Sequence, residues 1–192
     1  MVNFVLGSSS KIRLKLLEQI NVKPDIIAPA DIDETPNKKE NPLDYVKRMA
    51  ESKARCLHTK YFGDVILSAD TIMNYQSRII QKPKDNKEVE KLLEFYSGKN
   101  IKVITSVYMI TSDNKTAQKT VETTLKFKHL SRLDIGEYVA RGYGLGKAGG
   151  VAIESMMESF VIRIIGSYSN IMGLPLYETR NMLISAGIKP NL

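Results

Sequence analysis

Apolar residues recur in short runs that alternate with longer amphipathic stretches. Residues 3 to 6 predict a strand, and residues 11 to 20 predict a helix whose leucines and isoleucine share one face. Residues 42 to 58 begin with a proline and carry apolar side chains at helical spacing, which also predicts a helix. The apolar run from Val65 to Ala69 predicts a buried strand that ends at Asp70-Thr71.

The rest of the chain continues this mixture of periods. Strands and helices alternate near the two ends, while an antiparallel pair of strands is expected in the middle. This order favours an α/β fold with a mixed, twisted sheet flanked by helices, and the length favours one domain over residues 1–192. The further expected elements are a hairpin over 73–80, helices over 87–96, 134–140 and 176–185, and strands over 101–111, 120–127 and 160–165.

Charge narrows the classes of partner. The formal net charge of +7 favours anionic partners such as nucleotides or nucleic acid. The cations are dispersed, aromatic residues make up only 7% and tryptophan is absent, so a stacking platform for single-stranded nucleic acid is not expected. A nucleic-acid-binding protein stays as the alternative class. With one cysteine, Cys56, and no long apolar run or signal-peptide pattern, we expect a cytoplasmic protein without a membrane partner.

A first candidate site lies between the first strand and the first helix. Residues 7 to 13 read GSSSKIR, so a helix begins among small polar residues and two cations. The N-terminus of a helix offers unpaired N–H groups, Ser8 and Ser10 add hydroxyls, and Arg13 can bind a phosphate through two hydrogen bonds. The segment predicts a phosphate site, although a capped helix with a solvated basic turn is an equal alternative.

Acidic residues supply the second candidate chemistry. Asp70-Thr71 follows an apolar strand, where an acid can hold Mg²⁺ or act as a general base toward water. Residues 31 to 34, which read DIDE, form a tight acidic group in a basic protein. Acids beside a phosphate site imply a metal, because Mg²⁺ is usually held by one or two carboxylates and by phosphate oxygens. A turn-forming aspartate and a solvated loop are the plainer alternatives.

Together these segments resemble the Maf family of nucleoside triphosphate pyrophosphatases. The matches follow the family's order along nearly the whole chain. Each is short, and their specificity comes from the set. They are Ser8-x-Ser10-x-x-Arg13, Asp33-Glu34, Lys53-Ala54, Ala69-Asp70-Thr71, Lys82-Pro83, Ser97-Gly98, Lys147-Ala148-Gly149-Gly150, Gly166-Ser167-Tyr168-Ser169-Asn170 and Gly173-Leu174-Pro175-Leu176.

The resemblance implies a fold and a reaction. The fold has two lobes around a cleft and is similar to that of inosine triphosphate pyrophosphatases. The implied reaction hydrolyses a nucleoside triphosphate to the monophosphate and pyrophosphate with a divalent cation, Mg²⁺ or Mn²⁺, in a protein that is often a homodimer. The family's proposed roles are to limit incorporation of modified nucleotides and to arrest cell division.

The resemblance also assigns roles to residues. Arg13 and the serine-rich start of the helix bind the triphosphate. Lys53 and Lys82 neutralise the leaving pyrophosphate, and Asp70 activates water for in-line attack on the α-phosphorus. The residues carried over are Asp70, Lys53 and Lys82 for catalysis; Ser8, Ser10, Arg13, Thr71, Glu154 and Ser167 for substrate binding; and Glu34 and Asp70 for the metal.

Two positions depart from the family pattern. Ile101 stands where a histidine is usual, and Glu154 stands where glutamine goes with thymine and uracil substrates and glutamate with 7-methylguanine. A carboxylate only accepts hydrogen bonds, and a guanine edge offers two adjacent donors. The Gly166 to Asn170 segment and the Gly-Leu-Pro-Leu ending instead match the thymine and uracil branch, so base preference stays open. These departures also motivate a third hypothesis, a regulatory nucleotide binder with weak catalysis.

Overall fold

Seven strands form one mixed sheet in a computed structural model that describes residues 2–190. The strand order is β2-β1-β3-β5-β6-β7, and β4 pairs with β3 outside this path. Strand β1 is parallel to both of its neighbours, and all other pairs are antiparallel. The sheet confirms the expected mixed α/β class. The strands are β1 (Phe4–Gly7), β2 (Ile26–Ile27), β3 (Val65–Tyr75), β4 (Arg78–Ile80), β5 (Asn100–Ile110), β6 (Thr116–Phe127) and β7 (Val161–Ile165).

In the described part of the chain, six α-helices flank the sheet, and side chains at their N-termini explain where several begin. Asn41 caps the helix that starts with Pro42, and Ser131 forms a capping box with Asp134. Among the described residues, none of these helices has the length and apolarity that a bilayer crossing requires. The helices are α1 (Lys11–Gln19), α2 (Pro42–His58), α3 (Asn86–Tyr96), α4 (Arg132–Ala140), α5 (Tyr168–Ile171) and α6 (Leu176–Ser185).

The alternation of side chains along β3 determines which helix each residue meets. Ile66 packs in the cluster with α2, whereas Leu67, one position on, packs in the cluster with α1 and α6. The hydroxyl of Ser68 donates to the carbonyl of Ala50 in α2 at 2.5 Å. Even-numbered residues in this part of β3 therefore face α2, and odd-numbered residues face α1 and α6.

Two large core clusters define two lobes, and both β3 and β5 run through them. Leu67 of β3 and Met109 of β5 belong to the first lobe, built on β1, α1 and α6. Met73 of β3 and Val103 of β5 belong to the second lobe, which includes residues of α3, α4 and β6. The two lobes thus share a pair of long central strands.

Strand β3 is longer than the sequence predicts and lacks a neighbour in its middle on one side. The predicted end at Asp70-Thr71 is wrong, because the strand continues to Tyr75. On one side β3 pairs with β5 without a break from Ile66 to Asn74. On the other side it pairs with β1 up to Ser68 and with β4 only from Met73. Within the described chain, residues 69–72 therefore have no strand beside them on that side.

Candidate active site

A cleft of about 530 Å³ lies at this gap in the sheet. Five lysine or arginine side chains and three carboxylates line it, so the cleft carries both signs of charge with an excess of cations. The excess of cations suits an anionic ligand, and the carboxylates can interact with a cation or a proton donor that the ligand brings. The charged lining residues are Lys11, Arg13, Lys53, Lys82, Lys147, Glu34, Asp70 and Glu154.

Lys53 joins two carboxylates at the centre of the cleft. It follows Met49 and Ala50 on the buried stripe of α2, so its side chain points at the even-numbered face of β3. Its Nζ atom lies 2.6 Å from Asp70 Oδ1 and 2.7 Å from Glu34 Oε1. The side chains of Lys53 and Asp70 are only 11% and 9% exposed, whereas that of Glu34 is 43% exposed.

The loop that carries Glu34 is fastened to α2 as well. The hydroxyl of Tyr45 donates to the carbonyl oxygen of Glu34 at 2.8 Å. Burial, with the charges of Asp70 and Glu34, raises the pKa of Tyr45 to about 12, so this hydroxyl remains a donor at neutral pH. Burial raises the pKa of the Glu34 carboxyl, but hydrogen bonding and charge from Lys53, aided by Lys82, bring it below its ordinary value.

Arg13 organises the opposite wall of the cleft. Its guanidinium donates from Nη1 to Ser8 Oγ at 3.0 Å, from Nη2 to Thr71 Oγ1 at 3.2 Å and from Nε to the carbonyl of Gly173 at 2.8 Å. Burial lowers the pKa of Arg13, while the charges of Asp70 and Glu34 oppose this shift. Arginine has five N–H hydrogens, so two have no partner within residues 2–190 and remain for a ligand.

Hydroxyl groups extend this wall in a defined direction. Thr105 Oγ1 donates to the carbonyl of Asn170 at 2.9 Å and lies 3.0 Å from Thr71 Oγ1. Thr71 must therefore donate to Thr105, which leaves its oxygen to accept from Arg13. Ser8 Oγ accepts from both Arg13 and the backbone N–H of Ser10, and among the described residues its own hydrogen has no partner. That hydrogen can be donated to a ligand.

A third segment brings Lys147 and Glu154 to the cleft. Lys147 Nζ lies 3.1 Å from Glu154 Oε1. Two buried tyrosine hydroxyls hold the turn between them: Tyr96 donates to the carbonyl of Gly149 at 2.7 Å, and Tyr138 donates to that of Gly150 at 2.8 Å. Gly149 has a φ of 54°, and a Cβ there would lie 2.5 Å from a methionine side chain, so only glycine fits.

The structure gathers most of the predicted site residues. Ser8, Ser10, Arg13, Glu34, Lys53, Asp70, Thr71, Lys82 and Glu154 all line the cleft. Ser167 is not among the lining residues. Its hydroxyl caps α5, and its backbone N–H donates to Thr123 Oγ1 at 3.0 Å. A substrate contact by Ser167 stays a prediction.

No sequence pattern predicts a role for Gly173 or the pairing of Lys147 with Glu154. Gly173 lies 160 residues from Arg13 along the chain and contacts it through a backbone carbonyl, which leaves no side-chain pattern to detect. Gly173 has a φ of 97°, a conformation that favours glycine. The glycine itself is therefore the one signal of this position in the sequence. Lys147 belongs to the Lys-Ala-Gly-Gly motif, but its ion pair with Glu154, seven residues later, depends on the turn between them.

Two of the cleft's carboxylates could take part in binding a divalent cation. Asp70 and Glu34 both direct an oxygen to the same point, now held by Lys53. Residues 2–190 contain no group of three or more His, Cys, Asp or Glu side chains arranged for one ion. Carboxylate oxygens suit Mg²⁺ and Mn²⁺, and two of them suffice when phosphate oxygens and waters complete the shell. The residues present therefore fit a cation that is shared with a phosphate ligand.

Sequence comparison gives strong matches over nearly the full length. The family model described as "Maf-like protein" matches residues 3–186. A dTTP/UTP pyrophosphatase of Zymomonas mobilis is 45% identical over 185 residues, which cover 96% of this chain and 92% of that protein. A dTTP/UTP pyrophosphatase of Caulobacter vibrioides is 42% identical over 186 residues, which cover 97% and 96%.

Structural comparison gives more distant matches. A HAM1 protein from Coxiella burnetii shares 16% identity with a TM-score of 0.45, covering 69% of this chain and 76% of its own. A nucleoside-triphosphatase, also named dITP/XTP pyrophosphatase, from Mycobacterium abscessus shares 12% identity with a TM-score of 0.42, covering 66% and 74%. At this distance neither structure informs the chemistry of the present cleft.

Proposed function

Since this chain belongs to the Maf-like protein family, we propose that it hydrolyses a nucleoside triphosphate to the nucleoside monophosphate and pyrophosphate. The observation that carries the proposal is the centre of the cleft. One lysine joins two carboxylates there, opposite a wall of arginine, serine and helix N–H groups. We propose dTTP and UTP as substrates, because the named relatives carry those substrates in their names.

The triphosphate would bind along the wall at the start of α1. Ser10 caps this nine-residue helix, and its side chain accepts from the N–H of Arg13 at 3.4 Å. The first-turn N–H groups, the free hydrogen of Ser8 and the two unused N–H groups of Arg13 all suit phosphate oxygens. Lys11 adds a further positive charge at the cleft.

The carboxylates and lysines then supply the chemistry. Asp70 would take a proton from a water molecule that attacks the α-phosphorus in line with the leaving pyrophosphate. Lys53 and Lys82 would neutralise the charge that develops on the pyrophosphate as the bond breaks. Glu34 and Asp70 would hold a divalent cation, which when bound neutralises phosphate charge and polarises phosphate oxygens.

The pair of Lys147 and Glu154 supports recognition of a pyrimidine base. A lysine that donates beside a carboxylate that accepts offers the two functions that an amide side chain combines. Uracil and thymine present N3–H next to carbonyl oxygens, so Glu154 would accept from N3–H and Lys147 would donate to a carbonyl. A guanine-like base is the second candidate, because its N1–H and N2–H are two adjacent donors for the carboxylate.

Ile101 gives little support to a catalytically weak binding protein. The residue is fully buried in the second lobe and is not among those that line the cleft. Its departure from the family pattern therefore removes no group from the cleft. Homodimer formation and roles in excluding modified nucleotides or arresting cell division rest on the resemblance, and cytoplasmic location rests on the sequence pattern; all stay predictions.

The test is pyrophosphate release by the purified protein with Mg²⁺ or Mn²⁺ across dTTP, UTP, CTP, GTP and 7-methyl-GTP. We expect metal-dependent release that is fastest with dTTP or UTP. Fastest release with 7-methyl-GTP would replace the pyrimidine assignment by the guanine-like one. No release from any nucleotide would refute hydrolysis and favour the binding alternatives, including nucleic acid, which salt-dependent affinity would reveal.

A further inference from the structure

Lys53 occupies the point where the two candidate metal ligands converge. Its ammonium group lies 2.6 Å from Asp70 Oδ1 and 2.7 Å from Glu34 Oε1, so each carboxylate already spends one oxygen on it. Lys82 Nζ lies 3.7 Å from the other oxygen of Glu34. A divalent cation that entered alone would compete with these ammonium groups for Asp70 Oδ1 and for both oxygens of Glu34.

The negative charges of the two carboxylates are already neutralised before any ligand arrives. Two carboxylates face two lysines, and the lysine between the acids is nearly enclosed. Asp70 and Glu34 have no third acidic, histidine or cysteine partner placed for an ion within residues 2–190. A cation without nucleotide would therefore have to displace the Lys53 ammonium group from the two carboxylates. It would gain too few protein ligands to offset the loss of those ion pairs.

We propose that Lys53 holds the place of the metal in the free protein, and that the metal enters together with the phosphates of the nucleotide. The triphosphate brings more negative charge than a divalent cation brings positive charge. It thus offers the displaced ammonium new oxygens while completing the shell of the cation. The flexible four-carbon stem of Lys53 permits this short transfer from carboxylate to phosphate. This inference rests on the proposed function, because it concerns the metal of that reaction.

The test measures Mn²⁺ binding by the free Mn²⁺ signal in electron paramagnetic resonance, without turnover. The proteins are the wild type, Lys53→Gln, and Lys82→Gln as the matched control, because Lys82 is 56% exposed and contacts only Glu34 of this pair of acids. Without nucleotide we expect Lys53→Gln to bind Mn²⁺ at least about tenfold more tightly than the wild type, since a positive charge has left the centre. The control should gain less than about threefold, as expected for an exposed charge. Equal or weaker binding by Lys53→Gln would overturn the proposal.

A second measurement does not need the variant to fold. The wild type should bind Mn²⁺ weakly alone and at least about tenfold more tightly with the non-hydrolysable α,β-methylene analogue of dUTP present, once the Mn²⁺ bound by the same concentration of analogue without protein is subtracted. Equal affinity with and without the analogue would overturn the proposal. Failure of the proposed function shows separately, as absence of pyrophosphate release from natural nucleotides, so the two failures are distinguishable.

Discussion

Replacement of Asp70 by asparagine tests the centre of the cleft most directly. The substitution keeps the size of the side chain and removes its charge and its ability to accept a proton. Because Asp70 is proposed both to activate water and to share the cation, its loss should lower kcat by at least about 100-fold, within the roughly 10²–10⁴ range for a general base.

The fold should survive this substitution, and the contacts of Lys53 set the expected loss in the free energy of unfolding. Removal of one partner from a buried ion pair typically costs about 3–5 kcal/mol, because the other charge is left unpaired. Here Lys53 retains its ion pair with Glu34 at 2.7 Å, so the lysine charge is not left unpaired. We therefore expect the free energy of unfolding to fall by only about 1–2 kcal/mol, the cost of one weakened polar interaction.

The assay combines two measurements on the same preparations. Steady-state pyrophosphate release from dTTP with Mg²⁺ gives kcat, and urea unfolding gives stability. Asp113→Asn is the control, because it makes the same chemical change in the exposed turn between β5 and β6 and should leave kcat unchanged. A folded Asp70→Asn protein with more than about a tenth of the wild-type kcat would refute the assignment of Asp70 as the base.

Three further substitutions test other parts of the cleft. Glu154→Gln should raise kcat/KM for UTP relative to 7-methyl-GTP by about tenfold, and an unchanged ratio across the panel would argue against base contact by this side chain. Tyr138→Phe removes two hydrogen bonds, one donated to the carbonyl of Gly150 and one accepted from the N–H of Ala152, and should lower the free energy of unfolding by about 1–3 kcal/mol. It should raise KM for dTTP more than it lowers kcat; urea unfolding and steady-state kinetics check both effects. The pKa of Glu34 is lowered in the folded protein, so the stability it contributes is present above its ordinary pKa of 4.5 and is lost as the pH falls below it. Glu34→Gln should flatten that part of the pH–stability profile, and an identical profile would contradict the ion pair with Lys53.

Secondary structure followed from the sequence where one face of an element is apolar. Helix α6 begins and ends at the predicted residues, and α2 matches its predicted range. Strand β3 was predicted too short, because Asp70 and Thr71 interrupt its apolar run although Ile72 and Met73 resume it. The interruption arises because these two polar side chains face α2 and Arg13 at the cleft, a tertiary reason that no local pattern contains.

The candidate site followed from the sequence as a set of residue types, but its arrangement did not. The motifs named Asp70, Lys53 and Glu34 separately, whereas their convergence depends on helix α2 packing against the even-numbered face of β3. The short strand β2 and the single-turn helix α5 were missed, since two and four residues carry too little periodicity to detect.

The missing neighbour in the middle of β3 has a mechanical consequence. The two lobes share β3 and β5. The sheet is narrower where residues 69–72 of β3 pair with β5 on one side and with no strand of the described chain on the other. If the cleft narrows around a nucleotide, we expect the sheet to bend at this segment. Asp70 would then sit at the hinge and move least, as would Arg13, whose guanidinium donates to Thr71 of the same segment at 3.2 Å, while Lys147 swings toward both. The proposed base would keep its aim at the reacting phosphorus throughout the motion.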